Sequence, residues 1–168
     1  LPSPHSFLYP SAGLSTILSD LVKLPESISF LKASLNYAEV GNGGRFGLLK
    51  SVYNYGQGAG NGFLQINSTL PFPELKPEIV RNLEFGIEAK FLQNRLGVTA
   101  TYYKSNSFNQ LLSVSLPVAT GFSRQYINAG NIQNSGLELV LTGTPLPQDS
   151  PLKWDITFNA AMNRNKVV

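Results

Sequence analysis

The sequence contains no cysteine, which removes disulfides, thiolate nucleophiles and Cys-based zinc sites together. Its single histidine, His5, lies in a proline-rich end, so neither a Ser-His-Asp arrangement nor a histidine metal centre has support. Charge is scarce: 14% of residues are charged, against an average near 25%. The net charge is only +3, and the Lys and Arg residues are scattered singly. Without a basic cluster or a basic stripe interleaved with aromatics, no nucleic-acid partner is expected. No run of about 18 apolar residues exists, so no transmembrane helix is expected. The opening Leu-Pro-Ser-Pro-His has neither a charged n-region nor an apolar h-region, so it reads as a mature or internal stretch rather than a signal peptide.

What is present is alternation. Residues 80–91, 96–105 and 154–163 each alternate apolar and polar side chains over ten to twelve positions, and 136–142 carries a shorter version. In the first, Leu83, Phe85, Ile87, Ala89 and Phe91 share one face, while Glu84, Gly86, Glu88 and Lys90 share the other. In the last, Trp154, Ile156, Phe158, Ala160 and Met162 oppose Asp155, Thr157, Asn159 and Asn163. Period two predicts β-strands with one apolar and one wet face. Ordinary strands run about 5–6 residues, whereas tilted membrane-spanning strands need about 9–11. Two further strands are predicted near 11–20 and 30–40, with 21–29 as a connection that can hold a brief helical turn. The six strands then fall near 11–20, 30–40, 80–91, 96–105, 135–143 and 153–163.

Several motifs sit on this frame. LKPE (75–78) precedes LEFGIEAKF (83–91), and NRLGVTATYYKS (94–105) follows a tight turn. QLL (110–112), TGF (120–122) and NAGNIQNSGLEL (128–139) come next. This series resembles the barrel of TonB-dependent outer-membrane transporters, specifically their SusC/RagA-like branch. The YYK strand with the Asn-Gly-rich run after it is the more specific part. The resemblance is strong over 75–146 and fair over 9–42; between 43 and 74 no motif is seen. It implies an all-β, antiparallel up-and-down transmembrane barrel. Such barrels have about twenty-two strands, so six form about a quarter of the wall. The plug and the TonB-contacting segment are expected outside these residues. The resemblance further implies import of oligosaccharides or peptides across the bacterial outer membrane, driven through TonB. The implied partners are a SusD-like surface lipoprotein and outer-membrane lipid; no cofactor is implied.

Connection lengths agree with that class. The stretches 41–79 and 106–134 are long, with a possible short strand at 123–128, whereas 92–95 and 143–153 are short. Barrels place short turns on the periplasmic side and long loops outside. Phe91 and Trp154 would then lie at the periplasmic border, and Tyr37, Tyr102 and Tyr103 near the external one, as aromatic girdles. Leu83, Phe85, Ile87, Leu96, Val98, Ala100, Leu137, Leu139, Trp154, Ile156 and Phe158 are expected to face lipid. Glu84, Glu88, Thr99, Thr101, Glu138, Asp155 and Thr157 are expected to face the lumen. An isolated six-stranded piece would expose two edges and an apolar face, so aggregation in water is expected.

Enzyme chemistry finds no footing. Glu84 and Glu88 lie about 13 Å apart along a strand, beyond the roughly 5–9.5 Å used by glycosidase carboxylates. GQGAGNG (56–62) lacks the following helix that a phosphate-cradling loop needs. Asn67-Ser68-Thr69 matches a glycosylation sequon by chance. Asn128, Asn131 and Asn134, with Gly130 and Gly136, suit turn and bulge chemistry at a loop–strand junction better than a ligand site. Recognition is expected in the long loops. Arg45, Tyr53, Tyr55, Phe122, Arg124 and Tyr126 are the candidate ligand- or partner-binding residues, since aromatic faces stack on sugar rings or peptide side chains and arginine donates charged hydrogen bonds. Two other classes compete: a soluble all-β carbohydrate-binding module, which requires short strands around a dry core, and a passive porin barrel.

Overall fold

The computed structural model describes residues 7–44, 48–50, 53–58, 60–147 and 149–168. In chain order the elements are β1 (Ser11–Ile17), a one-turn helix α1 (Leu18–Leu21), β2 (Ile28–Asn42), β3 (Tyr53–Gly56), β4 (Phe63–Ile66) and β5 (Thr69–Leu70). Then follow β6 (Glu78–Phe91), β7 (Leu96–Phe108), β8 (Leu111–Ser115), a 3-10 turn (Val118–Thr120), β9 (Arg124–Asn128), β10 (Asn131–Gly143) and β11 (Ile156–Val167). Six strands form one open sheet in the order β1-β2-β6-β7-β10-β11. Five of them are 12 to 15 residues long, enough to cross a bilayer at a tilt.

Side-chain contacts fix which residues share a face. In the β1–β2 ladder Leu14 lies opposite Leu35 and Ala12 opposite Tyr37, while Gly13 lies opposite Asn36 and Ser15 opposite Ser34. Between β2 and β6, Ser34 Oγ closes on Gly86, Lys90 Nζ sits 5.1 Å over the Phe30 ring, and Arg81 pairs with Glu39 at 2.8 Å. All three contacts fit one register, so no bulge interrupts the alternation between them. Across β7 and β10, Thr142 closes on Gly97 and the Tyr103 ring on Gly136, again in one register. The wet residues of neighbouring strands therefore lie together, and so do the apolar ones.

Nothing among the described residues packs on the apolar face. Among the described residues only Ala89 and Gly136 are buried. Phe85, Ile87, Leu137, Ile156, Phe158 and Met162 are all exposed, Met162 to 70%. A water-soluble sheet of this size would cover that face with helices or a second sheet. A barrel wall leaves it to lipid.

Several boundaries differ from the sequence reading. The first strand ends at Ile17, and the helical turn expected within 21–29 lies at Leu18–Leu21. The last strand begins at Ile156, so Trp154 and Asp155 precede it; Asp155 Oδ1 accepts a 2.9 Å hydrogen bond from Thr144 Oγ1 across the short connection. Tyr103 leaves the aromatic girdle, because alternation turns it to the wet face, against Gly136. The hairpin after β6 is sharp. Leu92, Gln93 and Asn94 all take left-handed backbone angles, held by Leu92 N–H donating to Ser27 O and Asn94 N–H donating to Ser29 Oγ.

The chain divides into two compact units. The first comprises Leu1–Val40, Arg81–Asn106 and Gln133–Lys166 and carries most of the long sheet. The second comprises Gly41–Val80, Ser107–Ile132 and Val167–Val168. Inside the second, the stretches read as loops hold β-structure of their own. β3 and β4 pair as an antiparallel hairpin, with Tyr53 opposite Ile66 and Tyr55 opposite Leu64. β8 and β9 pair antiparallel, and β5 adds to β9 as a two-residue parallel ladder.

Candidate functional site

The wet face of the long sheet is one candidate surface. Its contacts include small and polar residues, Gly13 with Asn36, Gly86 with Ser34 and Thr101, and Gly97 with Thr142, beside the rings of Tyr103 and Phe30. Small side chains let neighbours approach without filling the face, which keeps a hydrated wall. Glu88 is the only one of the wet-face glutamates with an ion pair among the described residues, to Lys90 at 3.4 Å, and Lys90 also covers Phe30. The Asn134 Oδ1 oxygen, on the same alternation as Gly136, is buried with no hydrogen-bond partner among the described residues. Among the described residues this face carries amides, hydroxyls and carboxylates.

The second candidate surface lies on the second unit. Tyr53 and Tyr55 alternate onto one face of β3, and Arg124 and Tyr126 onto one face of β9 with Phe122 shortly before. The two sets belong to different sheets. Arg45, and Phe46 beside it, lie outside the described residues. Tyr53 is 59% exposed and Arg124 is exposed, whereas Phe122 and Tyr126 are half-buried. Tyr55 spends its hydroxyl locally, donating to Asn61 O at 2.7 Å, and its ring covers Gly62. Its ring edge therefore offers apolar contact rather than a free hydroxyl.

Side chains absent from that candidate set hold the second unit together. Asn128 donates to Lys76 O at 2.8 Å and Asn109 O at 2.7 Å, and accepts from Lys76 N–H at 2.6 Å. Glu78 accepts from Leu111 N–H at 2.7 Å and from Asn42 Nδ2 at 3.1 Å. Two motifs noted in the sequence, LKPE and NAGN, thus grip the backbone of distant segments. Asn109 adopts φ 54° and Gly130 φ 76°, the left-handed geometry that Asn and Gly tolerate best. The structural reading of Asn128 holds, with a wider reach than a local turn. Glu78 was legible only as a motif letter, since Leu111 lies 33 residues away, and Asn109, 19 residues from Asn128, lies outside every motif.

An open sheet of long strands with a bare apolar face, a polar opposite face and strand-rich long connections defines a segment of an outer-membrane β-barrel. The family model described as TonB dependent receptor-like, beta-barrel, matches residues 3–166, and the chain belongs to that family. The TonB-dependent receptor P39 of Formosa agariphila is 30% identical over 145 residues, covering 84% of this chain and 14% of the relative. The TonB-dependent receptor SusC of Bacteroides thetaiotaomicron is 29% identical over 96 residues, 55% of this chain and 9% of SusC. Among solved structures, the RagAB peptide transporter superposes with a TM-score of 0.79 at 24% identity, over 95% of this chain and 18% of that one. The siderophore receptor PirA from Pseudomonas aeruginosa superposes with 0.55 at 20% identity, over 95% and 28%. The chain thus spans a small part of the length of these relatives. Membership of a receptor family located in the outer membrane replaces the soluble module and the passive porin.

Proposed function

We propose that the chain forms wall and external recognition surface in a TonB-energised importer of oligosaccharides or peptides that works with a SusD-like surface lipoprotein. The observation that carries this reading is the two-faced sheet: apolar and bare on one side, polar and lightly filled on the other. The RagAB neighbour, a peptide transporter, supports the peptide class, and the SusC relative supports the branch of the family. The wall separates lipid from a wet lumen, and the elements of the second unit present Tyr53, Tyr55, Phe122, Arg124 and Tyr126 to arriving ligand or lipoprotein. Rigid scaffolds commonly carry their binding residues on such connections.

The test uses the full-length receptor in its own membrane. Alanine at Tyr53 with Tyr55, or at Phe122 with Tyr126, should lower uptake or lipoprotein docking while the receptor still reaches the membrane at normal levels. Alanine at Gln93, in the short turn, should leave uptake near normal. If the turn variant lost transport and the paired variants kept it, the recognition assignment would be withdrawn.

A further inference from the structure

The alternation that defines the apolar face continues past the apolar residues at the long-loop end, and there it turns cationic. On β11 the series Ile156, Phe158, Ala160 and Met162 runs on to Arg164 and Lys166. On β10, Leu141, Leu139 and Leu137 run on to Ser135 and Gln133. On β7, Val98, Ala100 and Tyr102 run on to Lys104. The registers fixed by Tyr103 with Gly136 and by Thr144 with Asp155 put Ser135 between Lys104 and Arg164. Gln133, Ser135, Arg164 and Lys166 line one depression of about 150 Å³. Neither the Arg81–Glu39 nor the Lys90–Glu88 ion pair takes up Lys104, Arg164 or Lys166. On the other half of the same face the charges cancel, since Arg81 pairs with Glu39, which also accepts from Tyr37.

We propose that Lys104, Arg164 and Lys166, with Ser135 and Gln133, bind a phosphate of the phosphorylated glycolipid in the outer leaflet, lipid A. The inference rests on the reading that the apolar face meets lipid and the long loops lie outside. On that reading these cations stand just beyond the hydrocarbon, where the headgroup phosphates are. Long lysine and arginine stems reach along an apolar surface to such a level while keeping their charge wet. Arginine offers a forked pair of donors to a phosphate, the lysines add point charges, and Ser135 and Gln133 supply neutral donors. A ligand that is anionic at one end and acyl at the other matches a surface that is cationic above and apolar below. Free phosphate matches only the upper half.

The test titrates the full-length receptor in detergent with lipid A carrying its phosphates, or with the phosphates removed, and follows bound lipid by native mass spectrometry. The phosphorylated form should bind more tightly. Each cation removed should weaken binding about fivefold, so Lys104→Gln with Arg164→Gln and Lys166→Gln should weaken it on the order of a hundredfold. Lys32→Gln with Lys90→Gln, on the wet face, should change nothing, and Arg164→Lys should keep most of the affinity. Inorganic phosphate at the same concentration should not displace the lipid. Equal binding of both lipid forms, an unaffected triple variant, or displacement by inorganic phosphate would each overturn the proposal. A fluorophore on Ile156→Cys, in bilayers containing brominated lipid, separates the two readings. If it is quenched while the triple variant binds normally, only the phosphate inference fails; without quenching, the lipid-facing assignment fails with it.

Discussion

In the long sheet, β6 and β7 set Leu83, Phe85, Ile87 and Ala89 beside Val98, Ala100 and Tyr102 on one apolar face. In the second unit, the apolar residues of β3, β4 and β8 are largely exposed too, yet no long alternation organises them. There the geometry is held by polar side chains reaching backbone: Asn128 to Lys76 and Asn109, Glu78 to Leu111, Ser123 Oγ to Ser68. One region is specified by solvent on each face, the other by individual hydrogen bonds. The two should break in different ways. A wall is sensitive to the polarity of any lipid-facing position, whereas a clamped region is sensitive at a few residues and tolerant elsewhere.

The largest expected effect is on the wall. Arginine at Ile87 should destabilise the full-length receptor by about 2–4 kcal/mol if that position lies near the bilayer midplane, while arginine at neighbouring Glu88 should cost close to nothing. Urea unfolding in lipid vesicles reads the difference, and equal penalties at 87 and 88 would dissolve the contrast between faces. A smaller effect should follow Gly136→Ala. An added Cβ would come 2.6 Å from the Met162 carbonyl oxygen and from the Tyr103 ring, and backbone cannot swing away. A cost of about 1–3 kcal/mol is expected. Gly86→Ala meets the movable Ser34 hydroxyl at 2.7 Å and should cost less. The reverse order would mean that close packing on the wet face does not limit the wall.

Asn128→Ala sharpens the other side of the comparison. It removes three hydrogen bonds to backbone, and each is worth about 0.5–1.5 kcal/mol net. The loss should stay local: faster proteolysis within 107–128 while the wall keeps its unfolding midpoint. A fall in the midpoint with no change in proteolysis would count against a local clamp. The smallest effect should come from Glu39→Gln. The Glu39–Arg81 pair has its arginine half exposed, so its loss should cost at most about 1 kcal/mol and shrink further in salt.

The same contrast explains what could be read from sequence. Strands such as 83–91 announce themselves because every second residue must be apolar, and a one-residue slip would put Glu84 and Glu88 into hydrocarbon. Their ends do not, because the apolar side of the pattern gives way to polar and charged residues there, as at Lys104 and Arg164. β2, β7 and β10 therefore run further than alternation alone suggested, and Trp154 drops out of β11. The second unit was largely illegible. β3, β4, β5 and β8 are two to five residues long, too short for a period to show. A hairpin around GQGAGNG was available in YNYG and FLQI on either side, which alternate weakly. The β5–β9 pairing joins residues 55 apart and leaves no local trace. Of the candidate recognition residues, the side-chain alternation of Arg124 with Tyr126 was readable, while the local engagement of the Tyr55 hydroxyl was not.

The central claim is that one face of the long sheet meets lipid and the other meets water. Single cysteines placed in turn at 83 to 90 of the full-length receptor, each carrying an environment-sensitive fluorophore, test it most directly. In bilayers containing brominated lipid, quenching should alternate, strong at 83, 85, 87 and 89 and weak at 84, 86, 88 and 90. A membrane-impermeant aqueous quencher should give the complementary pattern. Quenching that ignored the alternation, or favoured the even positions, would contradict the account.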